Sequence, residues 1–378
     1  MTRGIILSGG WGTRLRPLTC TIPKTLIPVV NKPVMERQIL LLKGAGVKEI
    51  VLAVSVMSEV IHDYFKEGSK LGVKIHYTDE KFPAGTAGAM KLAEEYLKGD
   101  SFFMLNGDVI LNFDFSKMLE FHKKSGGVGT IASKMVEDPS RYGVLIADKE
   151  TNQIIEFLEK ENYHPLKNKA SKMPINAGVY LLEPEILSYI PKDKKVSIER
   201  DIFPKLAKSG GLHHYPIEGI WKDIGKPYEL LEGNFLLMNE LLANQKLQIN
   251  DNLDIAISSK IRQPSVIGEN VIIKGNCSIG PNAIIGDGVF IDDNSKLQDC
   301  IIYNSCHISK NVNIEKAILS NNCFLDDNVV LKGIEQNLII LSSFVKVSKG
   351  VRIIDPKDNL FSVCHHETIT ENLERSAN

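Results

Sequence analysis

The feature that most restricts this chain is a six-residue beat in its last third. Aliphatic residues recur at Ile267, Ile273, Ile279, Ile285, Ile291 and Leu297, with Gly, Asn and Asp between them. The beat slips by one residue to Ile302, Ile308 and Ile314, and slips again to Leu319, Leu325 and Leu331. Six residues hold one short strand and one turn. Three such units make one coil of a triangular parallel β-helix, with the aliphatic side chains stacked inside. The five-residue slips predict altered corners, not a break in the stack. A sandwich of short strands is the competing reading, and six consecutive hits at one period weigh against it. The coil is expected over 252–343. The stretch 344–378 leaves the rhythm and reads as a separate tail.

The first 247 residues carry a different pattern. Strands are expected at 3–8, 49–54, 73–77 and 101–105, with helices at 34–45, 59–70 and 87–97 between them. The strands are continuous apolar runs, as in a mostly parallel, Rossmann-like sheet covered by helices on both faces. A site in such a sheet lies beyond the carboxyl ends of the strands. After Gly127 the strands lengthen, at 128–135, 142–147, 153–158 and 175–182. A helix at 199–208, a strand at 212–217 and a long helix at 227–245 close this part.

Charge narrows the partners. Lys and Arg total 45 against 46 Asp and Glu, so nothing pulls the chain as a whole toward nucleic acid or an anionic membrane. No apolar run approaches the length of a membrane span, and the N-terminus lacks the zones of a signal peptide. The six cysteines (20, 277, 300, 306, 323 and 364) contain no CxxC pair. They read as thiols of a reducing compartment, and a cytoplasmic location is expected.

Chemistry concentrates near the N-terminus. Gly9-Gly10-Trp11-Gly12-Thr13-Arg14 follows the first strand. Glycines let a backbone approach a ligand closely and turn N–H groups toward phosphate. The spacing fits neither GxGxxG nor a Walker A loop. Arg14 adds a fork of donors suited to phosphate. Ten residues on, Lys24 follows Pro23 on a stiffened segment. A loop made only for folding needs the glycines but not these two cations.

At this point the sequence resembles a known family, the nucleotide-sugar pyrophosphorylases or sugar-1-phosphate nucleotidyltransferases. The likeness lies in Gly9 to Thr19 and in Pro23-Lys24-Thr25-Leu26-Ile27-Pro28-Val29-Val30-Asn31-Lys32-Pro33. It continues in Gly85-Thr86-Ala87-Gly88, Leu105-Asn106-Gly107-Asp108 and Pro139-Ser140-Arg141-Tyr142-Gly143-Val144. Phe157-Leu158-Glu159-Lys160, Ile175-Asn176-Ala177-Gly178-Val179-Tyr180 and Trp221-Lys222-Asp223-Ile224-Gly225 complete it. A left-handed parallel β-helix of hexapeptide repeats behind such a domain is also a habit of the family.

The resemblance implies roles. Leu7, Gly9, Gly10, Gly12 and Thr13 would surround the nucleotide, with Arg14 on the leaving pyrophosphate and Lys24 on the phosphates. Gly85 and Thr86 would contact the base. Asp108 and Asp223 would hold Mg²⁺. Gly143, Glu159 and Asn176 would line the sugar, and Lys160 would bind its phosphate. The implied substrates are a nucleoside triphosphate and a hexose 1-phosphate. The DPSRYGV segment, the length and the coil resemble most the branch that joins GTP to mannose 1-phosphate. Enzymes joining UTP or dTTP to glucose 1-phosphate are the near rivals.

This set makes physical sense. A phosphate monoester attacking an α-phosphorus brings two anions together, so cations and a hard metal must screen them. The nucleophile is already ionised at neutral pH and needs no general base. Two carboxylates suffice for Mg²⁺ when phosphate oxygens complete its shell.

Plainer readings exist for the same residues. Asp108 and Asp223 sit beside glycines, as turn residues do. Lys160 could be a surface lysine. Trp11 is expected to pack against the sheet, and His213 and His214 to decorate a strand. His365 and His366 read as solvated. His307 is the only histidine of the coil that an acyltransferase could use, and nothing around it resembles such a site. A catalytically silent relative would be expected to lose part of the phosphate loop or the acidic pair, and all of these are present. The box at 157–161 lacks the usual proline, and the loop at 162–173 is expected to reshape the sugar pocket. Open coil ends would need cover, by the catalytic domain or the linker near 247–257 at one end and by the tail or another subunit at the other. A homo-oligomer is therefore expected.

Overall fold

The computed structural model describes residues 2–80, 82–163, 172–245, 252–335, 337–354 and 361–374. The chain divides into two compact units. One comprises Met1–Gly10 and Val34–Trp221, the other Trp11–Pro33 and Lys222–Asn378. The division between these units falls inside the Ile220–Asp223 strand. Most of the glycine and Pro-Lys signature, from Trp11 onward, belongs with the coil.

In the first unit four strands run parallel in the order Lys74–Asp79, Glu49–Val54, Arg3–Ser8, Phe102–Asn106. Arg3–Ser8, Glu49–Val54 and Phe102–Asn106 are largely buried between covering helices, while Lys74–Asp79 at the edge buries only Ile75. Val34–Gly44, Ser58–Phe65 and Gly85–Leu92 are the crossovers, each long enough to carry the chain back for a parallel partner. Beyond Phe102–Asn106 the sheet changes character. Met173–Leu182 lies antiparallel to it, and pairs antiparallel with Gly129–Val136 and Val144–Ala147. Only Leu212–Pro216 adds a parallel pair here, against Gly129–Val136. The sheet is thus parallel in its first half and mixed in its second, because the strands after Gly127 follow one another without crossover helices. The Arg3–Ser8 strand lies between partners reached from opposite directions, which puts a switch point at its carboxyl end.

The helix expected at 199–208 begins as a wide π turn, Ile198–Ile202, before Phe203–Lys208 becomes α-helical. His213 and His214 do not decorate their strand. They are 9% and 8% exposed, and His214 Nδ1 lies 2.9 Å from Ser133 Oγ. Burial pushes both imidazoles below their ordinary pKa.

The second unit contains the coil. Three columns of strands stack in parallel, starting at Asp254–Ile255, Lys260–Ile261 and Ser265–Ile267. Ile273, Ile279, Ile285, Ile291 and Leu297 are fully buried in its core, as are Ile302, Ile308, Ile314, Leu319, Leu325 and Leu331. Ile267 packs against them from the edge. Burying each Ile is worth roughly 2–3 kcal/mol in transfer. The slips appear as altered corners. Asp299 and Lys316 take φ of 46° and 50° inside the long strands Lys296–Ile302 and Asn313–Leu319.

The tail is not separate. Lys346–Val347, Arg352–Ile354, Phe361–Val363, Thr368–Ile369 and Leu373–Glu374 stack on the preceding coils. Vertical neighbours stand 18 residues apart in the first coils and 17 in the next, then 22 and 20. With these longer spacings the six-residue beat fades while the stacking persists. Of the linker expected to cover one end, 247–257, residues 247–251 lie outside the described residues, and Asp254–Ile255 is already the first strand of a column.

Candidate active site

In the first unit, site residues gather at the carboxyl ends of the parallel strands. Gly107 N–H donates to Leu7 O at 3.0 Å, which closes the Arg3–Ser8 strand onto the turn carrying Asp108. The buried amide of Gln38 donates to Asn106 O and to Val109 O, both at 2.9 Å, clamping that turn from either side. Ser55 Oγ donates to Gly9 O at 3.2 Å. Glu80, which the sequence did not single out, lies beside Gly9. Burial raises its pKa, while the Ala84 N–H opposes the rise.

A second cluster forms where the later strands converge. A methyl group at Gly143 would sit 3.1 Å from Phe157 Cζ and 3.3 Å from Glu159 Oε1. Asn176 N–H donates to Gly143 O at 2.8 Å. Gly143, Glu159 and Asn176 are thus brought together from three strands or their ends. Asn176 Nδ2 donates to Tyr180 Oη at 2.9 Å, and Tyr180 Oη donates to Glu199 Oε1 at 3.1 Å. Glu199 also accepts from Thr86 Oγ1 at 2.6 Å and Ser197 Oγ at 2.7 Å. Thr86 Oγ1 in turn accepts from Ile198 N–H at 2.9 Å. The single hydroxyl proton of Thr86 is committed to Glu199. Burial raises the Glu159 pKa, and the negative charges of Glu199 and Glu161 raise it further. Lys160 is exposed, at the start of the Lys160–Asn162 turn.

Gly85 shows why its motif needs glycine. Its φ is 76°, and a Cβ there would meet Val196 O at 2.5 Å. The same carbonyl accepts the Ala87 and Gly88 N–H groups at 3.0 and 3.2 Å.

In the second unit, the segment 11–33 is a chain of single 3-10 turns ending in a small ribbon, Pro28–Val29 with Lys32–Pro33. Gly12 has φ 59°, and a Cβ on it would press to 2.9 Å of Thr19 Cγ2 and 3.1 Å of Lys24 Cβ. Thr19 Oγ1 donates to Gly12 O at 2.9 Å. Gly12, Thr19 and Lys24 therefore form one packed knot, with Thr13 and Arg14 exposed on its rim. A methyl group at Gly225 would stand 3.1 Å from each of Arg14 Nη2, Asp223 Oδ2 and Glu229 Oε2. Arg14 thus has two carboxylates close by, although none neighbours it in sequence. Glu229 is 3% exposed; sequence reading missed it, since one Glu in a helix reads as a solvated face. Trp11 does not pack against the sheet, being 65% exposed.

Asp108 belongs to the first unit and Asp223 to the second. Among the described residues no group of three or more His, Cys, Asp or Glu is arranged to hold a metal. His365 and His366 are exposed, and His366 stacks on Phe344. His307 is sandwiched between Phe290 and Phe324, at ring distances of 4.7 and 5.0 Å. Among the described residues no helix is long and apolar enough to cross a membrane. All six cysteines are free.

A part-parallel sheet with acidic and glycine turns at its strand ends, a cation-bearing glycine segment and a hexapeptide coil together define a nucleotidyltransferase. The chain belongs to the nucleotidyl transferase family, which matches residues 3–240, and residues 261–377 match the GMPPB C-terminal domain. It is 42% identical over 257 residues to a mannose-1-phosphate guanyltransferase of Saccharomyces cerevisiae, covering 67% of this chain and 69% of that one. It is 43% identical over 245 residues to the mannose-1-phosphate guanylyltransferase catalytic subunit beta of Dictyostelium discoideum, covering 64% and 66%. Among solved structures it is similar to HddC from Yersinia pseudotuberculosis complexed with GMP-PN. That likeness has a TM-score of 0.53 at 29% identity and covers 62% of this chain and 99% of that one.

Proposed function

We propose that this enzyme transfers a guanylyl group from GTP to mannose 1-phosphate, releasing pyrophosphate and forming GDP-mannose. The observation that carries the choice of nucleotide and sugar is the 42–43% identity to the yeast and Dictyostelium guanyl(yl)transferases. A GMPPB C-terminal domain match behind the catalytic domain supports it.

The residues divide by task. Arg14 and Lys24 bind the nucleotide phosphates, with Arg14 on the pyrophosphate as its charge grows. Backbone from Leu7 through Gly9, Gly10, Gly12 and Thr13 surrounds them. Gly85 meets the base through its backbone, and Thr86, whose hydroxyl serves Glu199, shapes that loop. Gly143, Glu159 and Asn176 hold the sugar hydroxyls, and Lys160 takes the sugar phosphate. A divalent metal assists transfer in this family, and we assign Mg²⁺ to Asp108 and Asp223. An oxygen-only donor set of two carboxylates, without a larger protein cage, fits a hard ion that arrives with phosphates and keeps several waters. When bound, it would neutralise charge on the phosphate oxygens. Positioning of the two substrates for in-line attack supplies much of the rate.

Balanced charge, free thiols and the coil support a cytoplasmic homo-oligomer. The deciding experiment measures pyrophosphate release with GTP, UTP and dTTP against mannose 1-phosphate and glucose 1-phosphate. The proposal expects GTP with mannose 1-phosphate to give the highest kcat/KM. A higher value for UTP or dTTP with glucose 1-phosphate would overturn it. Sedimentation of the intact protein tests assembly.

A further inference from the structure

The inside of the coil accounts for its stability, but one of its outer corners is also occupied. The residues that follow the inward-facing Ile285, Ile302, Leu319 and Leu341 form a vertical column: Gly286, Tyr303, Ser320 and Ser342. Gly286 N–H donates to Ile302 O at 2.7 Å, Tyr303 N–H to Leu319 O at 2.9 Å, and Ser320 N–H to Leu341 O at 2.8 Å. Polar groups on a coil's outside ordinarily meet water. Here Tyr303 is 2% exposed, Ser343 3%, and Ser320 and Ser342 0%.

Their hydroxyls face the segment 11–33 of the same unit. Tyr303 Oη donates to Pro28 O at 3.1 Å. Ser342 Oγ donates to Pro17 O at 3.1 Å. Ser343 Oγ lies 2.9 Å from Ser320 Oγ and 3.1 Å from Thr21 Oγ1. Asn31 Nδ2 reaches the coil backbone at Ile285 O, 2.6 Å away. The far side of the ribbon is pinned to the long helix, where the buried Asn234 accepts from Val30 N–H at 2.8 Å. Bonds at Pro17, Thr21, Pro28 and Asn31 thus bracket Lys24 on both sides and begin three residues after Arg14. The prolines lack N–H groups, so their carbonyls are the handles available at those points.

We propose that this corner is a positioning element for the phosphate chemistry. Tyr303, Ser342 and Ser343 fix the stretch from Pro17 to Pro28, and through it hold Arg14 and Lys24 where the nucleotide phosphates bind. The coil therefore contributes to catalysis as well as to stability. The inference rests on the reading of Arg14 and Lys24 as phosphate-binding residues. A cation that must wait for its backbone to settle screens less charge in the transition state, and the loss should fall on nucleotide use.

The test pairs each hydroxyl with the cation nearest its bond. Tyr303→Phe keeps the ring and Ser342→Ala keeps the fold's small corner, so two independent variants guard against a folding failure. Each is assayed with GTP and with mannose 1-phosphate, and its Tm is recorded. Tyr303→Phe is repeated in a Lys24→Ala background, and Ser342→Ala in an Arg14→Ala background. Each single hydroxyl variant is expected to lower kcat/KM for GTP about five- to tenfold, the scale of one buried hydrogen bond. KM for mannose 1-phosphate should stay within about twofold. In the matched cation background the further loss should shrink below about twofold, because the group being positioned is gone. Full additive losses in both matched pairs, or equal losses for both substrates that track Tm, overturn the inference and leave the phosphate reading intact. Unchanged GTP kinetics in Lys24→Ala and Arg14→Ala overturn the phosphate reading itself, and the positioning role with it.

Discussion

Both units are built on parallel β-structure, and they use it in opposite ways. In the first unit each parallel strand needs a helix to return the chain, so every strand end opens into a loop of its own. Those loops carry Gly9, Glu80, Gly85 and Asp108. In the regular coils each strand runs straight into a corner and its vertical neighbour sits 17 or 18 residues on. The corner has no slack in which to build a pocket. It repeats small conformations instead, such as Asn276, Asn294, Asn311 and Asn328 at φ between 58° and 63°. Reaction chemistry therefore gathers where the return path is long, and stability gathers where it is short. The corner holding segment 11–33 is where the coil escapes that division.

Substitutions can test this contrast. The largest effect is expected at the acidic positions. Asp108→Asn and Asp223→Asn should each lower kcat about 10²–10³-fold, as losing one strong electrostatic contact does. Circular dichroism and Tm should stay unchanged. A variant that unfolds instead would place these carboxylates among the structural groups. Next comes the mirror experiment in the coil. Ile291→Ala should remove about 3 kcal/mol of unfolding free energy, from lost transfer plus a cavity. Its kcat per folded molecule should hold, as urea titration beside single-turnover rates would report. A similar loss of rate in the folded protein would break the contrast.

Gly85→Ala should be smaller and mixed. The strained φ and the Val196 carbonyl at 2.5 Å predict about 2 kcal/mol of destabilisation. A raised KM for GTP should accompany it, with KM for mannose 1-phosphate little changed. A variant as stable as the parent would show that the loop has room it does not display.

The smallest effect concerns Glu159. Its carboxyl pKa is raised by burial and by Glu199, so its ionised form burdens the native state. Glu159→Gln relieves that burden in full above the raised pKa. The relief fades as pH falls through that value toward the ordinary carboxylate range. Tm of Glu159→Gln should therefore exceed the parent by about 1–2 °C at pH 8, with the gap closing by pH 4. Thermal scans across pH read this directly, and a gap that widens in acid would reverse the sign argued here.

Legibility followed the same division. The inward residues of the coil repeat, so Ile273 to Leu331 could be placed from spacing alone. The last coils escaped because two of them take 22 and 20 residues, and a six-residue beat cannot survive such spacings. The parallel half of the sheet was readable in its continuous apolar runs. The antiparallel half gave longer strands but no direction, since direction depends on whether a helix intervenes. In the site, Arg14 and Lys24 stood out because glycines and a proline frame them. Glu199 and Glu229 did not, because their significance comes from partners more than 100 residues away, Thr86 for the one and Arg14 for the other. Trp11 misled for a related reason: apolar character predicts burial only where a surface is at hand to bury it.

The bonds between segment 11–33 and the coil corner also order events in time. Thr21 and Ser343 are 322 residues apart, and Pro17 and Ser342 are 325. At about 5–20 residues per second, Ser343 leaves the ribosome roughly 16–64 seconds after Thr21. The sheet that Met1–Gly10 begins can complete its strands well before that. Until then the segment with Arg14 and Lys24 lacks its bonds from Ser342 and Ser343, although Asn234, Ile285 and Tyr303 reach it earlier. A chain that stops short of Ser342 therefore has every strand of the sheet but lacks two of the bonds that fix segment 11–33.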